Sequence, residues 1–190
     1  AVNPWAPGAL DAIGPQDDVF LLGTGLTAID VLLALDERGW RGRALALSRR
    51  GLTPRPHEGP RAPGLEAPPE VRPLSRALGD FRRQARARPW RAVMDERRPW
   101  HPTLWASLSE AEKGRFLRHL RPWWDVARHR LDPAIAERLA EIEAEGRLSF
   151  AAGRVRALAA DRDGVRVEWR PRGGAETRTW RARTVVVCTG

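Results

Sequence analysis

Hydrophobic and polar positions along the chain change period several times, and each change marks an element. Residues 18–23, DVFLLG, form a short apolar run with β-forming Val and Phe, as a buried strand requires. From Leu26 to Arg38 the apolar Ala28, Ile29, Leu32, Leu33 and Leu35 recur at helical spacing. Gly39 then stands where a helix-ending glycine would. RALALS, residues 43–48, is a second strand. Strand, glycine turn, helix and strand within about 30 residues make a βαβ unit and predict a parallel sheet.

Further along, Pro, Gly and Arg dominate from 51 to 73, and mixed helical segments follow over 74–98. SEAEKGRFLRHL (109–120) opens with a capping box, Ser109 followed by Glu112, and Pro122 is expected to stop it. Asp132 before Pro133 opens another helix, with Ile135, Leu139 and Ile142 on one face and Gly146 closing it. LSFAAG (148–153) returns to strand. The alternating segments VRALAADRDG, VRVEWRPRGG and ETRTWRART, separated by DG and GG, read as hairpins, and TVVVCTG as a last buried strand. The expected fold is α/β: a Rossmann-like parallel sheet with a β-meander, in three layers. Residues 18–50 and 148–190 would build it, with a helical insert at 51–147 and a Pro- and Gly-rich linker at 1–17.

A chain of 190 residues can bury a real core. Its formal charge of +9 would suggest a nucleic-acid partner if taken alone. The basic residues are nearly all arginine, Lys113 being the sole lysine, and they interleave with Asp and Glu instead of forming a block. Nucleic acid is therefore not the expected partner. Cys188 is the only cysteine, which excludes an intrachain disulfide and fits a cytoplasmic location. No apolar run reaches the roughly 18–20 residues of a membrane span, and no secretory signal is visible. The chain starts without Met and stops directly after an apolar strand, so it reads as a piece of a longer protein.

The chemistry concentrates at Gly23-Thr24-Gly25-Leu26-Thr27-Ala28, a G-x-G-x-x-A turn between a strand and a helix. Gly23 permits the tight turn, Gly25 lets a pyrophosphate approach the backbone, and Ala28 lets the helix pack on the sheet. The helix N-terminus then supplies free N–H groups and positive potential. At the end of the second strand, where Asp or Glu would grip the ribose 2′-hydroxyl of NAD, stand Ser48, Arg49 and Arg50. A hydroxyl and two guanidiniums suit a 2′-phosphate, so NADP(H) is the expected cofactor. A tight turn without ligand and an incidental arginine pair are the competing readings of the two motifs.

GTGLTAID resembles the NADPH-binding motif G-x-G-x-S-G-x-D of flavin-containing monooxygenases, with Thr27 for Ser, Ala28 for Gly and Asp30 matching. More broadly, VFLLGTGLTAIDVLLALDERGWRG, ALSRRGLTPRPH, LRPWWDVARHRL and VVVCTG resemble bacterial FAD/NAD(P)-binding proteins with two dinucleotide-binding domains. The resemblance implies that Gly23, Gly25 and Thr27 contact the NADP pyrophosphate and that Ser48 with Arg49 takes the 2′-phosphate; Thr24, Leu26 and Arg50, in the same two turns, are expected to be cofactor-binding with them. It also implies that Thr189 and Gly190 lie at the junction with an FAD domain. In such flavoproteins the FAD fingerprint lies upstream, and no second G-x-G-x-x-G precedes residue 23. The chain is then the middle, NADP(H)-binding portion of an FAD-dependent oxidoreductase, monooxygenase-like, inactive alone, whose missing FAD-binding portion and small-molecule substrate are its partners. A non-catalytic nucleotide-binding regulatory module and an arginine-rich nucleic-acid binder are the alternatives.

Other constellations have plainer readings. Trp90, Trp100, Trp105, Trp123 and Trp124 are expected to pack the helical insert with arginines stacked on indoles, rather than to wall a substrate pocket. Arg128, His129 and Arg130 read as a polar helix face. His57, His101, His119 and His129 lack metal-ligand spacing, and no catalytic residue can be named.

Overall fold

The computed structural model describes residues 1–57, 62–70 and 72–189. It opens with β1 (Val19–Leu22), α1 (Leu26–Glu37) and β2 (Ala44–Ser48). Helices α2 (Leu74–Ala87), α3 (Trp90–Arg97), α4 (His101–Ser107), α5 (Glu110–His119) and α6 (Arg121–Arg128) follow. The chain closes with α7 (Pro133–Ala144), β3 (Leu148–Asp161), β4 (Gly164–Pro171), β5 (Arg178–Ala182) and β6 (Thr184–Val187). Two units separate: Ala1–Arg55 with Leu131–Gly190, and Pro56–Arg130.

The first unit is the α/β unit. Its strands lie in the order β5-β4-β3-β2-β1-β6, with β3, β2, β1 and β6 parallel and β3, β4 and β5 antiparallel. Strand alternation sorts side chains onto two cores. Val19, Leu21, Ala44, Ala46, Val186 and Cys188 face α1 and α7, where Ile29, Leu32, Leu35, Leu139 and Ile142 cover them. Phe20, Leu45, Leu47 and Val185 face the other way, onto Val167, Trp169 and Ala182 of the meander. This is the expected three-layer arrangement: helices, parallel sheet, meander.

Helix α7 belongs to this unit because Leu139 and Ile142 are buried in the helix-side core. The second unit therefore starts and ends inside the stretch read from sequence as the insert. The first residues do more than link: Val2 N–H donates to Val185 O (2.8 Å) and Val187 N–H to Val2 O (2.9 Å), extending the sheet past β6. Sequence reading also separated 148–153 from the alternating segment after it, whereas the structure makes one strand, β3. It leaves β2 at Ser48↔Ala152 and takes β4 from Gly153↔Pro171 onward. Gly153 serves a close approach, since a Cβ there would overlap the Arg170 carbonyl. A bulge between Val155 and Ala157 then bends the strand just past Gly153.

In the helical unit, α5 carries the expected capping box of Ser109 and Glu112. Pro122 does not stop this helix, which ends at His119; it sits in the first turn of α6, where its missing N–H costs nothing. Of the insert's tryptophans, Trp90, Trp100 and Trp124 are half-buried, whereas Trp105 and Trp123 are exposed (39% and 50%). Arg130 lies over Trp90 (5.2 Å), Trp105 meets Phe116 edge-on (5.6 Å), and Trp100 Nε1–H donates to Leu65 O (2.9 Å). Arg130 also grips buried Asp95 (2.7 and 3.2 Å), so its guanidinium is engaged in structure.

Candidate functional site

The two glycines of the turn differ physically. Gly23 is buried with φ +132°, and a Cβ there would overlap the carbonyl of Cys188. Its N–H donates to Leu47 O (2.8 Å), and Cys188 N–H donates to Leu22 O (2.9 Å), so the end of β6 presses against the turn. The fold itself demands this glycine. Gly25 is the reverse case: it is exposed, extended (φ −88°, ψ −170°), and a Cβ would meet nothing within 4 Å. Neither backbone conformation nor packing requires glycine there. What its absent side chain preserves is open space before the helix.

That helix begins uncapped. Gly25 is its N-cap, no side chain accepts from its first turn, and no acidic residue lies in that turn. Ala28 and Ile29 N–H return to Gly25 O (3.0 and 3.3 Å). The N–H groups of Leu26 and Thr27 have no intrahelical partner by helix geometry. Ala28, fully buried, lets α1 lie close on the sheet. The helix start thus offers donors and positive potential toward open space, which suits an anion.

Thr24, only 4% exposed, faces inward. Its Oγ1 donates to Leu52 O (2.5 Å) and lies 2.9 Å from Ser48 Oγ, which in turn accepts the Gly51 N–H (3.0 Å). The two turns, one after β1 and one after β2, are therefore tied together by paired hydroxyls. Both hydroxyls are engaged within the protein, so Thr24 and Ser48 tie the two turns together. Sequence reading missed this tie and the part of Gly51 and Leu52 in it; no spacing rule links two hydroxyls across separate turns.

Arg49 is exposed and Arg50 half-buried, and among the described residues neither is paired with a carboxylate. Elsewhere in the unit arginines are commonly neutralised, as in Arg38–Asp11 (2.7 Å), Arg43–Asp18 (2.5 Å) and Arg147–Asp36 (2.9 Å). The turn after β2 therefore keeps free positive charge beside the uncapped helix. Thr189 is exposed just past buried Cys188, whose thiol burial pushes up to about 11. Gly190 lies outside the described residues. In the helical unit, burial and then the charges of Arg128 and Arg98 push His101 down to about 4, keeping it neutral at physiological pH. Among the described residues no group of His, Cys, Asp or Glu is gathered to hold a metal ion, and no helix is long and apolar enough to cross a membrane.

No family model matches the sequence, and no curated protein matches it. Solved structures do match in fold. An L-lysine 6-monooxygenase from Pseudomonas syringae is similar over 97% of this chain, with a TM-score of 0.53 and 20% identity. The reduced form of an ornithine hydroxylase from Pseudomonas aeruginosa is similar over 92%, with a TM-score of 0.52 and 18% identity. An ornithine N-hydroxylase from Kutzneria sp. 744, solved with reduced FAD, NADP+ and L-ornithine, is similar over 93%, with a TM-score of 0.53 and 16% identity. The chain spans only 36–37% of the length of these three proteins. The structures it resembles in fold are thus hydroxylases and monooxygenases, one of them solved with FAD and NADP+, and they match it as a part of a longer chain.

Proposed function

We propose that this chain is the NADP(H)-binding portion of an FAD-dependent oxidoreductase of the monooxygenase type, with FAD held by the rest of the full-length protein. The observation that carries this reading is the open space kept by Gly25 before an uncapped helix start, tied through Thr24 and Ser48 to the un-neutralised Arg49 and Arg50. The residues fit the cofactor at both ends. The N–H groups at the start of α1 would hold the pyrophosphate, and Arg49 with Arg50 the 2′-phosphate. The fold likeness to hydroxylases, one of them solved with reduced FAD and NADP+, supports the pairing with flavin.

A dinucleotide held by these residues would supply hydride chemistry for a flavin. The part of this chain is positional: the turn fixes the pyrophosphate, the arginines select the phosphorylated ribose, and the sheet end sets where the ring reaches. Thr189, just past the end of β6, would lie toward the FAD side. The test is the full-length protein purified without added cofactor. Yellow protein whose flavin is bleached anaerobically by NADPH faster than by NADH is the expected result. A colourless protein that binds no added FAD, or one reduced equally by both nucleotides, contradicts the reading.

A further inference from the structure

The sheet bend beside the turn after β2 carries charge that the fold leaves unbalanced. Arg154 on β3 and Arg170 on β4 are directly opposite each other in the antiparallel register. Both are exposed, and among the described residues neither is paired with a carboxylate. Side chains so placed stand about 5 Å apart at Cβ, and like charges there destabilise the pair. Among the other exposed arginines of the meander, Arg166 is offset by Glu168 (3.7 Å), Arg181 by Asp161 (3.6 Å) and Arg178 by stacking on Trp169 (5.8 Å), whereas Arg156, Arg162 and Arg172 have no carboxylate partner among the described residues. Of the arginines so left, only Arg154 and Arg170 face each other across the strands.

Their face is that of the helix side. Ala151 and Val155 pack into the meander-side core, so Arg154, between them in alternation, points the other way with Phe150, which packs on the helix-side core. On β4, Val167 and Trp169 face the meander core, which leaves Arg170 on the same side as Arg154. The turn after β2 crosses this face. Gly51, with φ +63°, lies so close on β3 that a Cβ would stand 3.1 Å from Ala152 Cβ. Ser48 is in register with Ala152, and Arg154 follows two residues, about 7 Å, further along. The turn that carries Arg50 therefore lies beside the stretch of β3 that leads to the cross-strand pair.

We infer that Arg154 and Arg170 form, with Arg50, a clamp for the 2′-phosphate of the dinucleotide, so that the choice of NADP(H) over NAD(H) is made partly from the meander. The inference rests on the NADP(H) reading above and goes beyond it, because the glycine turn and the Ser48-Arg49-Arg50 segment say nothing of β3 or β4. Strand adjacency supports it: a pyrophosphate over the end of β1 puts the adenosine ribose two strand spacings from β3 at most, about 10 Å. A doubly charged phosphate bridging the two guanidiniums would also remove their mutual repulsion.

The test uses the 190-residue chain with NADP+, NAD+ and 2′,5′-ADP as probes, in calorimetric titrations of R154Q, R170Q and the double variant. R162Q, which removes an equally exposed arginine from the β3–β4 turn, is the charge control. Each clamp variant is expected to weaken NADP+ and 2′,5′-ADP about tenfold and the double about a hundredfold, the range for lost charge-assisted bonds. NAD+ affinity should stay unchanged, and R162Q should bind like the parent chain. The double variant should also melt no lower than the parent, since a repulsive pair has been removed. If the parent binds NADP+ but the double variant binds it as tightly, or loses NAD+ in parallel, the clamp is overturned alone. If the parent binds none of the three probes, the NADP(H) reading falls and takes the clamp with it.

Discussion

Thr24 Oγ1 and Ser48 Oγ lie 2.9 Å apart, joining the turn that follows β1 to the turn that follows β2. The Leu52 carbonyl and the Gly51 N–H complete the tie, at 2.5 and 3.0 Å. Through it, the backbone at the start of α1 and the turn that carries Arg49 and Arg50 are held together. In the proposed reading the hydroxyls hold this surface in shape, and the charges and N–H groups would do the binding.

Thr24→Val keeps the volume but leaves the Leu52 carbonyl without its donor and Ser48 with the Gly51 N–H as its remaining partner. Buried as it is, the change should cost about 1–3 kcal/mol. Thermal melting measures the loss. Ser48→Ala should cost less, because Thr24 keeps its bond to Leu52 O, and both variants should weaken NADP+ more than NAD+ by loosening the arginine turn.

The two glycines should separate folding from binding. Gly23→Ala meets both a positive φ and the Cys188 carbonyl, so a loss of at least about 2 kcal/mol in stability is expected. Gly25→Ala meets neither and should melt within about 0.5 kcal/mol of the parent, while losing at least tenfold in dinucleotide affinity. Equal melting losses in both would contradict the distinction drawn between them.

Asp36 joins α1 to α7 and to the segment before β3 through Arg138 (2.6 Å) and Arg147 (2.9 Å). Burial alone would raise its pKa, but the hydrogen bonds and charges of Arg138 and Arg147 outweigh burial and hold it below its ordinary value of 3.8. A carboxyl depressed in the folded state contributes stability that is present above the unfolded value and is lost as pH falls through the folded one. Acid melting curves below pH about 4 should therefore fall more steeply for the parent than for Asp36→Asn. At neutral pH that variant should be less stable by about 2 kcal/mol, below the range for a fully buried pair because the Arg138 partner is partly exposed.

Cys188 gives an internal marker. Buried and with its thiol pushed up to about 11, it should react with a disulfide reagent at pH 8 far more slowly in the native chain than in the denatured one. Fast native labelling would mean that the end of β6 opens readily and that Gly23 is less tightly held than its contacts imply.

The frame of this fold was legible in the sequence because burial imposes periods. DVFLLG and RALALS are short apolar runs, the helix after Gly25 repeats Ile29, Leu32 and Leu33 at its own spacing, and Asp132-Pro133 start a helix by local chemistry alone. Long-range features left no such trace. The bulge and Gly153 of β3 look locally like a strand end, although the chain passes straight from one partner strand to the next. Val2 pairs with the sheet through backbone bonds, to which residue type is nearly blind. At the site, Gly23, Gly25, Arg49 and Arg50 could be picked out from their places beside strands. The hydroxyl tie of Thr24 and Ser48, and the facing of Arg154 by Arg170, exist only once the strands are in register.

Isothermal titration of the 190-residue chain with NADP+ and with NAD+, side by side in one buffer, tests the central claim most directly. NADP+ should bind in the micromolar range and at least tenfold more tightly than NAD+, a difference of about 1.4 kcal/mol. Equal affinities, or no binding of either at millimolar concentration, would contradict the account.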